Sequence, residues 1–109
     1  KGKKSNMAIE KKQFIYVLKL IPSLLFPENW TDKEEKIVDS HFSRLLELRN
    51  DGRLILAGKT SGLDDKTFGI VILEVDSDDE ALTIMGNDPC VKEGIMTAEL
   101  FPYHVAVMR

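Results

Sequence analysis

Apolar and polar positions follow two rhythms along this chain, and the switches between them mark its elements. Gln13–Leu20 (QFIYVLKL) is apolar and rich in β-forming residues, and Pro22 closes it, so it reads as a first strand. A loop then carries Pro22, Pro27, Asn29 and Trp30. Thr31-Asp32-Lys33-Glu34 predicts a capping box, in which the Thr oxygen and the Glu three positions later satisfy free amides at a helix start. Asn50-Asp51-Gly52 predicts its end, with Gly supplying the left-handed conformation of a carboxyl-terminal cap, so the main helix runs from Asp32 to about Arg49. Arg53–Thr60 reads as a second strand, Ser61–Lys66 as a turn, and Thr67–Val75 as a third strand, paired with the second as a hairpin. Ser77-Asp78-Asp79-Glu80 predicts a second capping box and a shorter helix through Met85. Asn87-Asp88-Pro89 breaks that helix, Gly94 marks another turn, and Ile95–Met108 reads as a long last strand bent near Pro102.

The order β-α-β-β-α-β predicts an α+β, ferredoxin-like domain with an antiparallel four-stranded sheet. In the third strand Phe68, Ile70 and Ile72 point one way and Val71, Leu73 and Val75 the other, so both sheet faces are apolar. Two helices cover only one of them. The second face therefore predicts a homodimer, sheet against sheet.

At 109 residues and 12.3 kDa the chain fits one domain, placed at 13–109. Residues 1–12 read as a disordered or cloning-derived tail, with Met7 a candidate natural start. That tail holds Lys1, Lys3, Lys4, Lys11 and Lys12 against Glu10. Without it, 10 basic residues face 17 acidic ones, from 15 and 18 in the whole chain. A body of that sign suits polyphosphate poorly, which argues against a nucleic-acid partner. No apolar run approaches bilayer-spanning length, so no membrane partner is expected. The lone Cys90 excludes an internal disulfide and points to a reducing, cytoplasmic setting.

Chemistry has few places to sit. On the main helix Ile37, Val38, Phe42, Leu45 and Leu48 share one side, with His41 near its middle and Lys36, Ser40, Ser43 and Glu47 opposite. An imidazole facing a core costs about 1–3 kcal/mol if its nitrogens stay unpaired, so His41 needs a hydrogen-bond partner or a cavity. The bland alternative is a core histidine tied to a carbonyl. Asp88, before Pro89, is suited to starting a turn or capping the short segment Pro89–Glu93. A carboxylate could equally orient His41 as a general base, although spacing alone does not bring the two together. Cys90 reads as a small buried hydrophobe, His104 as a residue on the last strand's surface, and Trp30 as a helix staple or pocket wall. Two His and one Cys lack metal-ligand spacing, and neither a phosphate-binding glycine loop nor a GxSxG elbow is present. Neither a metal nor a cofactor is called for.

The helix His41, the segment DGRLILAG at Asp51–Gly58, the stretch DDEALTIMGNDP at Asp78–Pro89 and the following GIMTAELFPY together resemble the YCII-related domain of the dimeric α+β barrel superfamily. That family is similar in fold to muconolactone isomerases. The resemblance implies an active site of His41 and Asp88, acting on a small cyclic or aromatic compound, for example by eliminating chloride. Where members often carry Gly-Pro after the second strand, this chain has Gly58-Lys59-Thr60, and its Ile21–Trp30 loop is longer. The expected function is isomerase or lyase chemistry in which His41 moves a proton and Asp88 stabilises the imidazolium. Arg44 and Lys59 are the candidates to hold a substrate carboxylate or phenolate. A noncatalytic dimeric ligand-binding module is the main alternative. An RNA recognition motif, with Tyr16 and Phe68 stacking bases from an open sheet face, is a weaker one, since Ile70 and Leu73 replace its other aromatics.

Overall fold

A computed structural model describes residues 10–109 of the chain. Strand β1 spans Lys12–Leu20 and runs into two short 3-10 turns, Pro22–Leu25 and Pro27–Asn29. Helix α1 follows at Asp32–Asn50, then β2 at Leu54–Lys59, β3 at Gly69–Val75, helix α2 at Asp78–Asn87, a single turn α3 at Pro89–Lys92, and β4 at Met96–Pro102. The strands form one antiparallel sheet in the order β2-β3-β1-β4. This is the expected α+β architecture.

The boundaries follow from local chemistry. Both halves of the capping box at α1 form: Thr31 N–H donates to Glu34 Oε1 at 2.9 Å, and Thr31 Oγ1 accepts from Lys33 N–H at 3.3 Å. At the other end Gly52 adopts φ 79°, so that Arg53 N–H reaches Leu48 O at 2.9 Å and Gly52 N–H reaches Arg49 O at 3.0 Å, a Schellman closure. The second capping box forms only in part. Ser77 Oγ accepts from Glu80 N–H at 3.1 Å, but Glu80 turns its carboxylate to Asp76 N–H at 3.1 Å and toward Arg53.

Several expected edges move: β3 starts at Gly69 rather than Thr67, and α2 runs to Asn87 rather than Met85. β1 begins at Lys12, inside the segment expected as a tail, because Lys12 pairs with Val75 in the ladder and Lys11 and Lys12 meet Asp76 and Asp78. Residues 1–9 of that tail lie outside the described residues. β4 stops at Pro102 rather than running to Met108, and His104 lies exposed beyond it, off the strand surface expected for it. Gln13 holds the chain there: its carbonyl extends the pairing by accepting Tyr103 N–H at 3.0 Å, and its side-chain oxygen accepts Val105 N–H at 2.8 Å.

The core lies between the sheet and the helices. Phe14, Tyr16 and Leu18 of β1 and Val71, Leu73 and Val75 of β3 meet Leu45 and Leu48 of α1 and Ala81 and Ile84 of α2. Each large apolar side chain so buried contributes about 1.5–3 kcal/mol. A smaller cluster of Leu24, Ile37, Cys90 and Ile95 ties the 3-10 turn and α3 to α1. Phe42, expected on the buried side of α1, is exposed, as is Phe68, which precedes β3 and escapes its alternation. Ile15, Val17, Ile70, Ile72 and Phe101 occupy the sheet face away from the helices, in register with one another. No helix among the described residues is long and apolar enough to cross a membrane.

Candidate active site

The heptad-like spacing that buries Ile37, Leu45 and Leu48 also buries His41, which is 7% exposed. Its partner arrives from the far end of the chain. Pro89 cannot continue α2, so the chain turns at Asp88, whose Oδ1 caps α3 by accepting Cys90 N–H at 3.0 Å. The capping residue is thereby held against α1. His41 Nδ1 lies 2.8 Å from Asp88 Oδ1 and 2.9 Å from Oδ2. The turn-capping and histidine-orienting roles considered for Asp88 coexist, because one carboxylate has enough lone pairs for both.

Tyr16 completes the group, donating its hydroxyl to Asp88 Oδ2 at 2.7 Å. The sequence reading missed this role and considered Tyr16 only as a base-stacking aromatic. It is fully buried on the helix side of β1, between Phe14 and Leu18, which removes it from the open face that RNA stacking needs. A signal for the correct role was available: a hydroxyl on the core-facing register of a strand must find a partner. Burial, together with the Asp88 carboxylate beside it, pushes the Tyr16 phenol well above its usual range, so it remains a donor. Tyr16 O–H and Cys90 N–H thus both donate to Asp88, which as a carboxylate acts as acceptor only, and His41 Nδ1 lies against the same oxygens. That arrangement requires the proton of neutral His41 to sit on Nδ1, leaving Nε2 with its lone pair.

Among the described residues, no buried side-chain nitrogen or oxygen lacks a partner, and Nδ1 is the His41 nitrogen that is bonded. Nε2 is therefore the atom that reaches accessible space. His41 lines a cavity of about 590 Å³ between α1, β2 and the β2–β3 hairpin. Trp30, with its indole N–H on Leu24 O at 2.8 Å, forms part of the wall, as do Leu45 and Phe42. Trp30 thus takes the pocket-wall role; the staple is unavailable because the matching first-turn position is Glu35. On the opposite wall β2 carries a bulge between Leu54 and Leu56.

The two substrate-holding candidates separate. Lys59 lines the cavity, with its Nζ on Thr60 O at 2.8 Å. Arg44 lies outside the lining and meets Glu47 at 3.3 Å, because its place on α1 turns it away from the sheet edge. Arg49, which the sequence did not single out, does line the cavity. Cys90 is fully buried, and burial followed by the nearby Asp88 charge pushes its thiol up to about 12. Although His41, Asp88 and Cys90 each offer a ligand atom within 4.8 Å of the others, a thiol held protonated and a carboxylate engaged by three donors fit a hydrogen-bonded group better than a metal site.

No protein of curated function matches the sequence. Among solved structures, 5-chloro-2-hydroxyhydroquinone dehydrochlorinase from Burkholderia phenoliruptrix AC1100, determined in complex with 2,5-dihydroxybenzoquinone, matches with a TM-score of 0.64 at 24% identity. The match covers 84% of this chain and 93% of that one, a likeness of fold. It agrees with the helix, strand and hairpin order derived above. The model of the YCII-related domain matches residues 13–103, and the chain belongs to that family.

Proposed function

We propose that this chain is a small-molecule enzyme of the lyase or isomerase type, in which His41 and Asp88 transfer a proton on a small cyclic, aromatic or acidic compound. The observation that carries the reading is the His41–Asp88 contact at 2.8 Å in the wall of a cavity. His41 Nε2 takes a proton from a C–H or O–H of the substrate, and the buried Asp88 carboxylate stabilises the imidazolium that results. The electron pair released either returns to another carbon, which recovers the proton, or expels a leaving group. For a chlorinated hydroxylated ring the sum is loss of HCl: the proton goes to His41 and chloride leaves with its bonding pair. The fold shared with a dehydrochlorinase makes this the first substrate class to try. In this reading Lys59, which lines the cavity, holds a substrate oxyanion. The steps call on no metal or cofactor, and the free Cys90 suits a cytoplasmic setting.

The apolar sheet face of Ile15, Val17, Ile70, Ile72 and Phe101 supports a homodimer joined through the sheets, which light scattering tests directly as twice 12.3 kDa. A mass of one chain at micromolar concentration would refute it. For the chemistry, the test is chloride release from chlorinated hydroxyhydroquinones by the native protein and by His41→Gln. The expected result is turnover by the first, lost by about 10²-fold or more in the second. Equal rates in both proteins would overturn the role of His41, and ligand binding without turnover across the panel would leave a noncatalytic binding module.

A further inference from the structure

The cavity is larger and more one-sided in charge than a single-ring substrate requires. At about 590 Å³ it is roughly four times the ~150 Å³ space that suffices to hold benzene in a protein core. Its wall is overwhelmingly apolar, with Leu, Ile, Val, Met, Phe and Trp side chains contributed by the four strands, α1, the loop before α1 and the hairpin. The chain as a whole carries 18 acidic residues against 15 basic ones, yet no Asp or Glu lines this space. Among the described residues its Lys and Arg side chains are Arg49 and Lys59.

Among the described residues neither cation has an ion-pair partner. Among the described residues Arg49 bonds only the Asn50 side-chain oxygen, at 3.3 Å, and Lys59 only the Thr60 carbonyl, at 2.8 Å. The ion pairs of the described chain lie elsewhere, at Lys11, Lys12, His41, Arg44 and Arg53. Arg49 follows His41 by eight residues on α1, about 12 Å along the helix axis. β2 runs antiparallel to α1 after the short turn at Asp51–Arg53, which sets Arg49 near the start of β2 and Lys59 at its far end. An apolar trough with a cation toward each end can take a long apolar body whose acidic group lies at either end.

We infer that the ligand of this cavity is a hydrophobic organic monoanion with an apolar body larger than one ring, its acidic group held by Arg49 or Lys59. The inference rests on the cavity being the site proposed above, and it adds the size and charge of what enters. Specificity then comes from the volume of the body and the sign of the head, while His41 supplies the reactive nitrogen.

The test is binding, read without turnover. Trp30 is the single Trp of the chain and sits in the cavity wall, so its indole N–H cross-peak reports occupancy by NMR. Three probes are titrated: 2-naphthoate, its neutral isostere 2-naphthamide, and benzoate. The acid should bind about two- to fivefold tighter than the amide, as one ion pair at an exposed position allows. It should also bind about tenfold or more tighter than benzoate, for the extra apolar area buried. In Arg49→Gln/Lys59→Gln, both exposed positions, the acid and amide should converge while the preference over benzoate stays; the single variants assign the head group to one cation. Equal binding of acid and amide by the native protein overturns the charge assignment. Benzoate binding as tightly as naphthoate overturns the size assignment. Chloride release with no anion preference defeats this inference alone, whereas anion binding with no turnover defeats the catalytic reading alone.

Discussion

Replacing Asp88 by Asn changes one atom and should reverse the protonation pattern of His41. The substitution is isosteric, and the amide oxygen can keep the α3 cap by accepting Cys90 N–H at the 3.0 Å position. The NH₂ then occupies the place of Oδ2, facing Tyr16 Oη at 2.7 Å and His41 Nδ1 at 2.9 Å. A carboxylate only accepts and so demands Nδ1–H; the amide sets an N–H donor 2.9 Å from Nδ1 while its oxygen is taken by Cys90 N–H, and so favours a bare Nδ1. The proton moves to Nε2, and the nitrogen facing the cavity becomes a donor with no lone pair to offer. The interaction lost from the imidazolium is large. A unit charge pair at 2.8 Å in a medium of effective dielectric ~20 is worth about 6 kcal/mol before desolvation. A histidine held in the wrong tautomer by the same substitution costs about 10⁴ in rate in the Ser-His-Asp triad, which is about 5.5 kcal/mol and agrees in scale. Long-range ¹H–¹⁵N NMR of the imidazole reads the tautomer directly. The native spectrum should show Nδ1–H at neutral His41 and the variant Nε2–H, with helix content unchanged. An unaltered tautomer in Asp88→Asn, or Nε2–H already in the native protein, would refute the argument that Asp88 orients the base.

Other outcomes follow from the same geometry. Tyr16→Phe removes one donor from a buried carboxylate and should lower stability by about 1.5–3 kcal/mol in urea unfolding; a loss under 0.5 kcal/mol would mean the contact is dispensable. Because burial raises the Tyr16 phenol in the folded state, its stabilisation is complete below the ordinary phenol range near pH 10 and is lost as pH rises above it. Ultraviolet titration should therefore show Tyr16 ionising only together with alkaline unfolding. The Cys90 thiol, pushed up to about 12, should resist thiol reagents at pH 8 until denaturant opens the fold, and rapid labelling of the native protein would contradict its burial. Glu34 is held below its usual range, chiefly by its bond to the Thr31 side chain, so this contribution is present above the unfolded carboxylate range and lost as pH falls through the lower folded value. Thr31→Ala should cost about 1 kcal/mol and raise the pH at which the first turn of α1 frays, seen by amide exchange at Asp32–Glu35.

Much of this protein was decided by sequence alone, wherever the determinants are local. The capping box at Thr31–Glu34 and the left-handed Gly52 both act within one helical turn, so their residue types suffice to bound α1. The alternation of β3 is equally local, and it identified both apolar faces of the sheet. Local rules failed where a partner from elsewhere competes. Glu80 turned from its capping box toward Arg53, 27 residues away, and past Pro102 the Gln13 side chain, 92 residues away, takes Val105 N–H. The site divides in the same way. His41 was legible as a polar residue on an apolar helix face, and Asp88 as a cap before Pro89. Their meeting at 2.8 Å across 47 residues depends on how α3 packs on α1, a long-range contact that no spacing encodes. Tyr16 joining Asp88, Arg49 replacing Arg44 beside the cavity, and the cavity itself arise only when helix, sheet edge and hairpin are assembled, because empty space belongs to no single residue.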